Sequence, residues 1–108
     1  MENNKDYQYY FLKYGIGRHK LSENSFIDVK NRNIIFFKYS IDNKRQWHRF
    51  DGPAWISSEN KFDVEWFIND KQVTDLITKW AADNGIDLDN LSPSDVALIK
   101  LTWADYGK

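Results

Sequence analysis

Residues 46–55, QWHRFDGPAW, contain the side chains of this chain that are best suited to chemistry. His48 and Asp51 are the residue types of a general base and the carboxylate that orients it, and Arg49 could hold an anion or stabilise a developing negative charge. The sequence has no Gly-x-Ser-x-Gly elbow, no phosphate-binding loop and no carboxylate pair in a glycosidase-like setting. One hypothesis is therefore a small hydrolase centred on His48 and Asp51, but the sequence does not supply the other catalytic residues that such a site requires.

The same residues also have an architectural interpretation, which we favour. Asp51 and Gly52 are typical turn residues, and Pro53 restricts the backbone at the entrance to the next strand. His48 or Arg49 would then pair with nearby carboxylates or backbone carbonyls. In this interpretation Asp51, Gly52 and Pro53 form a structural turn.

A third interpretation is a binding surface, because basic and aromatic residues alternate in residues 43–50, NKRQWHRF. A base or nucleotide could stack on Trp47 while neighbouring arginines meet phosphate. Strand alternation would place Trp47 and Arg49 on one side and His48 and Phe50 on the other, so that each side has an aromatic ring. A strand buried on one face and touching a partner on the other shows this pattern. The predicted binding residues are Arg45, Trp47, His48 and Arg49.

Metal and cofactor binding are not predicted. The two histidines, His19 and His48, lack the spacing of a metal site, and the chain has no cysteine. The acidic stretch 83–90, DNGIDLDN, has Ser94 where a twelve-residue calcium loop needs glutamate. We interpret it as a linker between two helices.

Composition limits the class of protein. A chain of 108 residues, of which 17% are aromatic, predicts one domain with a core of large rings. A net charge of -1 lacks the electrostatic footprint of a duplex-DNA binder and that of an acidic DNA mimic. The polar N-terminus is unlike a signal peptide, no apolar stretch approaches the length of a membrane span, and the absence of cysteine suits a reducing compartment. We therefore predict a cytoplasmic protein with no membrane partner.

Residues 1–72 have the pattern of short antiparallel strands. Aromatic and β-branched residues occur in short runs separated by Gly, Asn, Asp and Pro. The runs are YQYYFLKYGI, SFIDV, NIIFFKYSI, PAWISS and FDVEWFI. The first run has aromatic residues on both faces of the predicted strand, so we expect a central strand or, alternatively, a contact surface.

Residues 73–108 change to helical periodicity. Apolar residues recur at helical spacing between 76 and 81, and Gly85 can supply a left-handed cap, which predicts a helix near residues 73–84. A second helix is predicted over residues 93–106, because Ser92 and Asp95 form a variant of the capping box around Pro93. Trp80 and Trp103 are expected to anchor the two helices to the sheet.

The first part of the chain also contains an internal repeat. KYSIDNK, residues 38–44, aligns with EWFINDK, residues 65–71, and KYGIGRH, residues 13–19, is a fainter third copy. Such a repeat predicts one strand-and-turn unit used again. Alternation then places Tyr39 and Ile41 on one face of a strand, and Trp66 and Ile68 on one face of another.

The order of WHRFDGPAWI and EWFINDK resembles a short repeat of many phage, bacterial and large-virus proteins, approximately His-Arg-x-Asp-Gly-Pro-Ala followed by Trp-x-x-Asn-Gly-Lys. The likeness covers residues 36–73 of 108, and Asp70 stands where the family has Gly. The matching residues are His48, Arg49, Asp51, Gly52, Pro53, Ala54, Trp66, Asn69 and Lys71. The family is associated with β-structured interaction or scaffold elements, so the resemblance implies an interaction role and no common enzymatic activity.

We therefore expect one α+β domain, in which an antiparallel β meander of about five or six strands precedes two C-terminal helices packed on one face. The primary functional hypothesis is a non-enzymatic, phage-type accessory protein that binds another protein, such as a host factor or a defence component, or self-assembles. A nucleotide or single-stranded nucleic-acid module is the first alternative, and the small hydrolase is the second.

Overall fold

The structure is a computed structural model that describes residues 6–60 and 62–108. An antiparallel sheet of six strands precedes two C-terminal helices, so the predicted α+β architecture is confirmed. The elements in chain order are α1 (Tyr7–Tyr14), β1 (Gly17–Ser22), β2 (Ser25–Val29), β3 (Asn33–Tyr39), β4 (Arg45–Trp47), β5 (Trp55–Ser57), β6 (Val64–Glu65), β7 (Phe67–Ile68), β8 (Lys71–Gln72), α2 (Thr74–Asp83) and α3 (Pro93–Trp103).

Strand β3 is the centre of the main sheet. On one side it pairs with β2, which pairs with β1. On the other side its first half pairs with β5, and its second half pairs with β4. Strand β6 then pairs with β5 at the far edge. Strands β4 and β5 therefore act as two parts of one long strand that is interrupted at residues 48–54.

Phe36 holds the two sides of this interruption together. Its backbone N–H donates to the carbonyl of Ala54 at 2.7 Å, and its carbonyl accepts from the N–H of His48 at 3.1 Å. The backbone groups of Phe36 are thus satisfied although five residues leave the strand opposite it. These residues, 49–53, are called the 49–53 loop below.

Strands β7 and β8 form a hairpin that continues the sheet beside residues 47–49. Its two-residue turn, Asn69 and Asp70, has φ values of 50° and 69°, as a type I′ turn requires. The backbone N–H of Asp70 donates to the carbonyl of Trp47 at 2.9 Å, and that of Arg49 donates to Phe67 at 3.2 Å. The stretch that starts at His48 and the stretch that starts at Trp66 are therefore hydrogen-bonded to each other.

The prediction of a strand in YQYYFLKYGI is wrong, because residues 7–14 form helix α1. The side chain of Asp6 accepts a hydrogen bond from the backbone N–H of Tyr9 and so caps the helix, which ends at Gly15. Tyr7 and Tyr14 lie seven positions apart on the face that packs against the sheet, with the buried Tyr10 between them. The aromatic residues of this segment also alternate along the sequence, and that alternation led to the prediction of a strand.

The two predicted C-terminal helices are present. Gly85 follows α2 with a φ of 66°, and Ser92 and Asp95 form the capping box of α3. Helix α3 ends at Trp103 rather than at 106. Trp80 and Trp103 meet edge to face at 6.0 Å, and both pack on a hydrophobic cluster that includes Trp66 and Ile68 of the hairpin region.

The internal repeat has a limited structural counterpart. Trp66 and Ile68 are buried together, as alternation predicts, whereas Ile41 lies fully exposed in a turn. The proposed third copy, residues 13–19, joins the end of α1 to the start of β1, so it is not a strand-and-turn unit. The copies resemble each other in sequence but differ in burial, because each copy packs against different neighbours.

All three described helices lie on one face of the sheet. Helix α1 packs on the face that presents Ile27, Ile34 and Phe36. Helix α3 faces Phe36 and Lys38 across a cleft on that same side. The opposite side is called the open face, because the described residues place no helix on it. The cross-strand pairs that define it are Arg18 with Asp28, Lys20 with Phe26, Phe26 with Phe37, Phe37 with Trp47, and Tyr39 with Arg45.

Candidate interaction site

Two arginines stack on consecutive phenylalanines of β3. The guanidinium carbon of Arg45 lies 3.8 Å from the ring centroid of Phe37, and that of Arg49 lies 3.8 Å from the ring centroid of Phe36. Because neighbouring strand residues point to opposite faces, Arg45 is on the open face and Arg49 is on the helical face. Both contacts have the geometry of a cation–π interaction.

The predicted binding residues are consequently divided between the two faces. Arg45 and Trp47 lie on the open face, whereas His48 and Arg49 belong to the helical face. The prediction that Trp47 and Arg49 share a side is wrong, because β4 ends at Trp47 and the chain then leaves the strand. No single surface contains all four side chains.

The open face has three aromatic rings in mutual contact, and Trp47 lies opposite Phe37 on the neighbouring strand. Phe26 stacks on the buried Phe37 with ring centroids 5.3 Å apart, and Tyr39 meets both rings edge to face. Trp47 contacts Phe67 edge to face at 5.0 Å. Apart from Phe37, these rings are half-buried, so each retains solvent-accessible area.

Charged side chains lie next to these rings. Arg45 donates to the carboxylate of Asp28 at 3.0 Å, and the side chains are 32% and 15% exposed, which makes this a partly desolvated ion pair. Arg18 donates to the hydroxyl of Tyr39 at 3.3 Å. Within residues 6–60 and 62–108, neither Arg18 nor Lys20 forms an ion pair, and the buried Nε of Arg45 has no hydrogen-bond partner. The open face therefore presents an excess of positive charge around its rings.

The 49–53 loop is organised around the guanidinium of Arg49. This group donates to Asp51 at 2.7 Å, to the carbonyl of Pro53 at 3.1 Å and to the hydroxyl of Tyr10 at 2.9 Å. A Cβ atom at position 52 would lie 2.6 Å from the guanidinium carbon, so only glycine fits there without displacement. Asp51 and Pro53 thus bind an arginine of the same loop.

The contact with Arg49 lowers the pKa of Asp51. Burial of the carboxyl group works to raise its pKa, but the charge and hydrogen bond of Arg49 outweigh burial and hold the pKa below its usual value. The side chain is nevertheless 64% exposed, so solvent screens the pair and its contribution to stability is small.

His48 is held as a neutral hydrogen-bonded ring. Its Nδ1 accepts from the backbone N–H of Asn69 at 3.0 Å, which requires the remaining proton to be on Nε2. Burial, followed by the charges of Lys38 and Lys108, lowers its pKa to about 4. In this state His48 has no free lone pair with which to act as a general base, and Asp51 is bonded to Arg49 instead of orienting it.

Asn69 is a central residue that the binding prediction did not include. Its side chain, 4% exposed for the whole residue, donates to the carbonyls of Ala104 at 3.0 Å and Tyr106 at 2.8 Å and accepts from Lys38. It therefore joins the hairpin turn to β3, to His48 and to the segment after α3. The only sequence signal was its place in the Trp-x-x-Asn pattern of the repeat.

Two clefts flank the 49–53 loop on the helical face. One of about 490 Å³ lies between the loop, Tyr10 and the start of α3. The other, of about 570 Å³, contains His48 and Asp51 together with Lys38 and Lys100. In the described part of the chain, no group of three or more metal-ligating side chains is found, and no helix is long and apolar enough to cross a membrane.

Comparison of the chain with protein-family models, with curated proteins and with solved structures gave no match.

Proposed function

We propose that this protein is a non-enzymatic accessory protein of phage type, which binds another protein through the open face of its sheet in the cytoplasm of a host cell. The partner is a host factor or defence component whose surface combines carboxylates with apolar groups. One observation carries the proposal: the open face joins half-buried aromatic rings to Arg18 and Lys20, which form no ion pair within the described residues, and no described helix covers it.

The composition of the open face is that of a protein interface. Aromatic residues and arginine are enriched at interfaces and dominate their binding energy. The rings of Phe26 and Tyr39 are already held by contact with Phe37, and Arg45 is held by Asp28. Because these side chains are ordered before binding, association costs little rotamer entropy.

Charge on this face favours an acidic partner. Arg18, Lys20 and Arg45 oppose the carboxylate of Asp28, which is already paired with Arg45. Glu65, opposite Trp55 on the same side of the sheet, already accepts hydrogen bonds from Gln72 and Thr74. A partner carboxylate would gain by meeting Arg18 or Lys20, and complementary charge would also speed the encounter.

The experiment begins with capture of partners from host lysate and continues with a purified partner identified by mass spectrometry. We expect the double variant Arg18→Glu, Lys20→Glu to bind that partner at least about tenfold more weakly than the wild type in calorimetry, because each substitution introduces like-charge repulsion. Lys79→Glu on α2 is the matched control and should bind as the wild type does, since that exposed side chain lies on a different element.

Several outcomes would count against this proposal. Equal affinity of the wild type and the double variant for the partner would show that the partner does not bind at the open face. A dimer in sedimentation that the Arg18→Glu, Lys20→Glu double variant dissociates would replace the partner with self-assembly. Tighter binding of single-stranded RNA than of any protein, lost in Trp47→Ala, would favour the nucleic-acid alternative.

A further inference from the structure

The helical face contains a second candidate site, separate from the open face. The cleft of about 570 Å³ lies between β3, residues 48–51 and helix α3. Its charged and polar lining includes Lys38, His48, Lys100 and Ser25, and its apolar lining includes Phe50 and Val96. We propose that this cleft binds a small phosphate monoester, with the phosphate at the lysines and the organic part along the apolar wall.

The charges of the cleft are not balanced. Its lining contains Lys38, Arg49 and Lys100 but only one carboxylate, that of Asp51. Asp51 is already bonded to Arg49, and within residues 6–60 and 62–108 Lys38 and Lys100 form no ion pair. The charge of Lys100 also acts on Asp51, but three cations against one carboxylate leave the lining with a net positive charge, which attracts an anion.

Burial and nearby positive charges contribute to the low pKa values of Lys38 and His48. Burial lowers the pKa of Lys38, and the charge of Lys108 lowers it further. The charges of Lys38 and Lys108 contribute, after burial, to the low pKa of His48. An anion in the cleft would offset the positive charge of Lys38 that acts on His48.

Hydrogen-bond donors are also present in the cleft. The contact with the N–H of Asn69 leaves His48 with a proton on Nε2, which makes that atom a neutral donor. Lys38 uses its hydrogen bond to Asn69 for orientation and retains other N–H groups. Phosphate oxygens accept several hydrogen bonds at once, and charge-assisted donors are the strongest partners for them.

The size of the cleft indicates more than an inorganic ion. Its volume of about 570 Å³ is within the usual range for small-molecule sites. Leu21, Phe50 and Val96 provide apolar area in the lining of the same cleft. A planar or apolar body attached to the phosphate would bury this area, so an organic monoester should bind more tightly than free phosphate.

The test uses AMP, inorganic phosphate and adenosine as probes, and it follows the imidazole resonances of His48 by NMR. We expect AMP to bind with a dissociation constant of about 1 mM or lower and to raise the pKa of His48, because the phosphate charge offsets those of the lysines. Inorganic phosphate should raise the pKa in the same direction at higher concentration. Adenosine at the concentration that saturates with AMP should leave the titration unchanged.

Variants separate the site from the fold. Lys100→Gln, at an exposed position of α3, should weaken AMP binding about tenfold while the far-UV spectrum is unchanged. Lys38→Gln should weaken it by a similar factor, and Lys79→Gln should not weaken it. The Arg18→Glu, Lys20→Glu double variant should bind AMP normally, so failure of this site and failure of the open-face proposal are distinguishable.

A wild-type protein in which neither AMP nor phosphate moves the His48 titration would overturn the inference. Equal AMP affinity of the wild type, Lys38→Gln and Lys100→Gln would also overturn it, because binding would then lie elsewhere. An adenosine effect as large as that of AMP would likewise contradict the inference, because binding would then depend on the nucleoside and not on the phosphate.

Discussion

At the scale of single residues, Arg49 has the largest number of defined contacts in the 49–53 loop. Its side chain is only 12% exposed, and it bonds Asp51, Pro53 and Tyr10 while covering the ring of Phe36. A buried guanidinium needs this number of partners, because each unsatisfied N–H would cost free energy. The Arg-x-Asp-Gly-Pro part of the pattern is therefore explained by the contacts of one arginine.

Gly52→Ala tests this explanation. The added methyl group would meet the guanidinium of Arg49, so we expect the free energy of unfolding to fall by about 1–3 kcal/mol. In an Arg49→Met background the same substitution should cost less than about 0.5 kcal/mol, because the obstructing group is gone. Urea denaturation of the four proteins measures the coupling, and strictly additive costs would contradict the proposed close approach.

His48 makes stability depend on pH. Its pKa is about 4 in the folded protein and about 6.5 when unfolded, so the unfolded chain binds the extra proton between these values. The stabilising effect is therefore complete above pH 6.5 and is lost as the pH falls toward 4. We expect a loss of up to about 3 kcal/mol over this window.

His48→Asn supplies the comparison for this pH dependence. An asparagine oxygen can accept the N–H of Asn69 in place of Nδ1, but it does not titrate. Chemical denaturation at several pH values should give a flatter profile between pH 4 and 6.5 for this variant. His19→Asn is the control, and a wild-type profile that remains unchanged in His48→Asn would refute the assignment.

At the scale of elements, the β7–β8 hairpin connects the sheet to the C-terminal segment. The turn residue Asp70 bonds the backbone of Trp47 through both its N–H and its carboxylate. The other turn residue, Asn69, bonds the carbonyls that follow α3. The carboxylate of Asp70 thus makes a backbone contact that a glycine at this turn position could not make.

Asn69→Gly removes the side-chain contacts and preserves the left-handed backbone. We expect the free energy of unfolding to fall by about 2–3 kcal/mol and amide exchange to accelerate first in residues 104–108, because Ala104 and Tyr106 lose their donors. Asn43→Gly is the matched control, since Asn43 also has a positive φ of 63° but lies in an exposed turn. It should be neutral or slightly stabilising, and equal losses in both variants would contradict the role of the Asn69 side chain.

At the scale of the whole molecule, the two faces of the sheet have different roles. The helical face is covered by α1 on one side and by α2 and α3 on the other, with the 49–53 loop and its clefts between them. The open face retains half-buried rings and cations. The proposed protein contact and the proposed phosphate site therefore occupy opposite sides and can be disrupted independently.

Local signals in the sequence predicted several elements correctly. The capping box at Ser92 and Asp95 and the left-handed Gly85 depend only on neighbouring backbone groups, and both are present. Strands such as β2 and β3 have β-branched and aromatic runs that are typical of a sheet. Helix α1 was missed because its many rings satisfy two periodicities. The cap at Asp6 and the packing of Tyr10 on Phe36 both favour the helix.

The amino-acid sequence by itself determined the fold class, the C-terminal caps and the residues able to bind or react, because these depend on composition and on contacts between near neighbours. Tertiary structure alone decided which residues meet. It separated Arg45 from Arg49, joined His48 to Asn69 and left one face of the sheet without a helix. Such contacts link residues far apart in the chain, and they depend on strand register and on where the chain leaves the sheet, which short-range patterns do not specify.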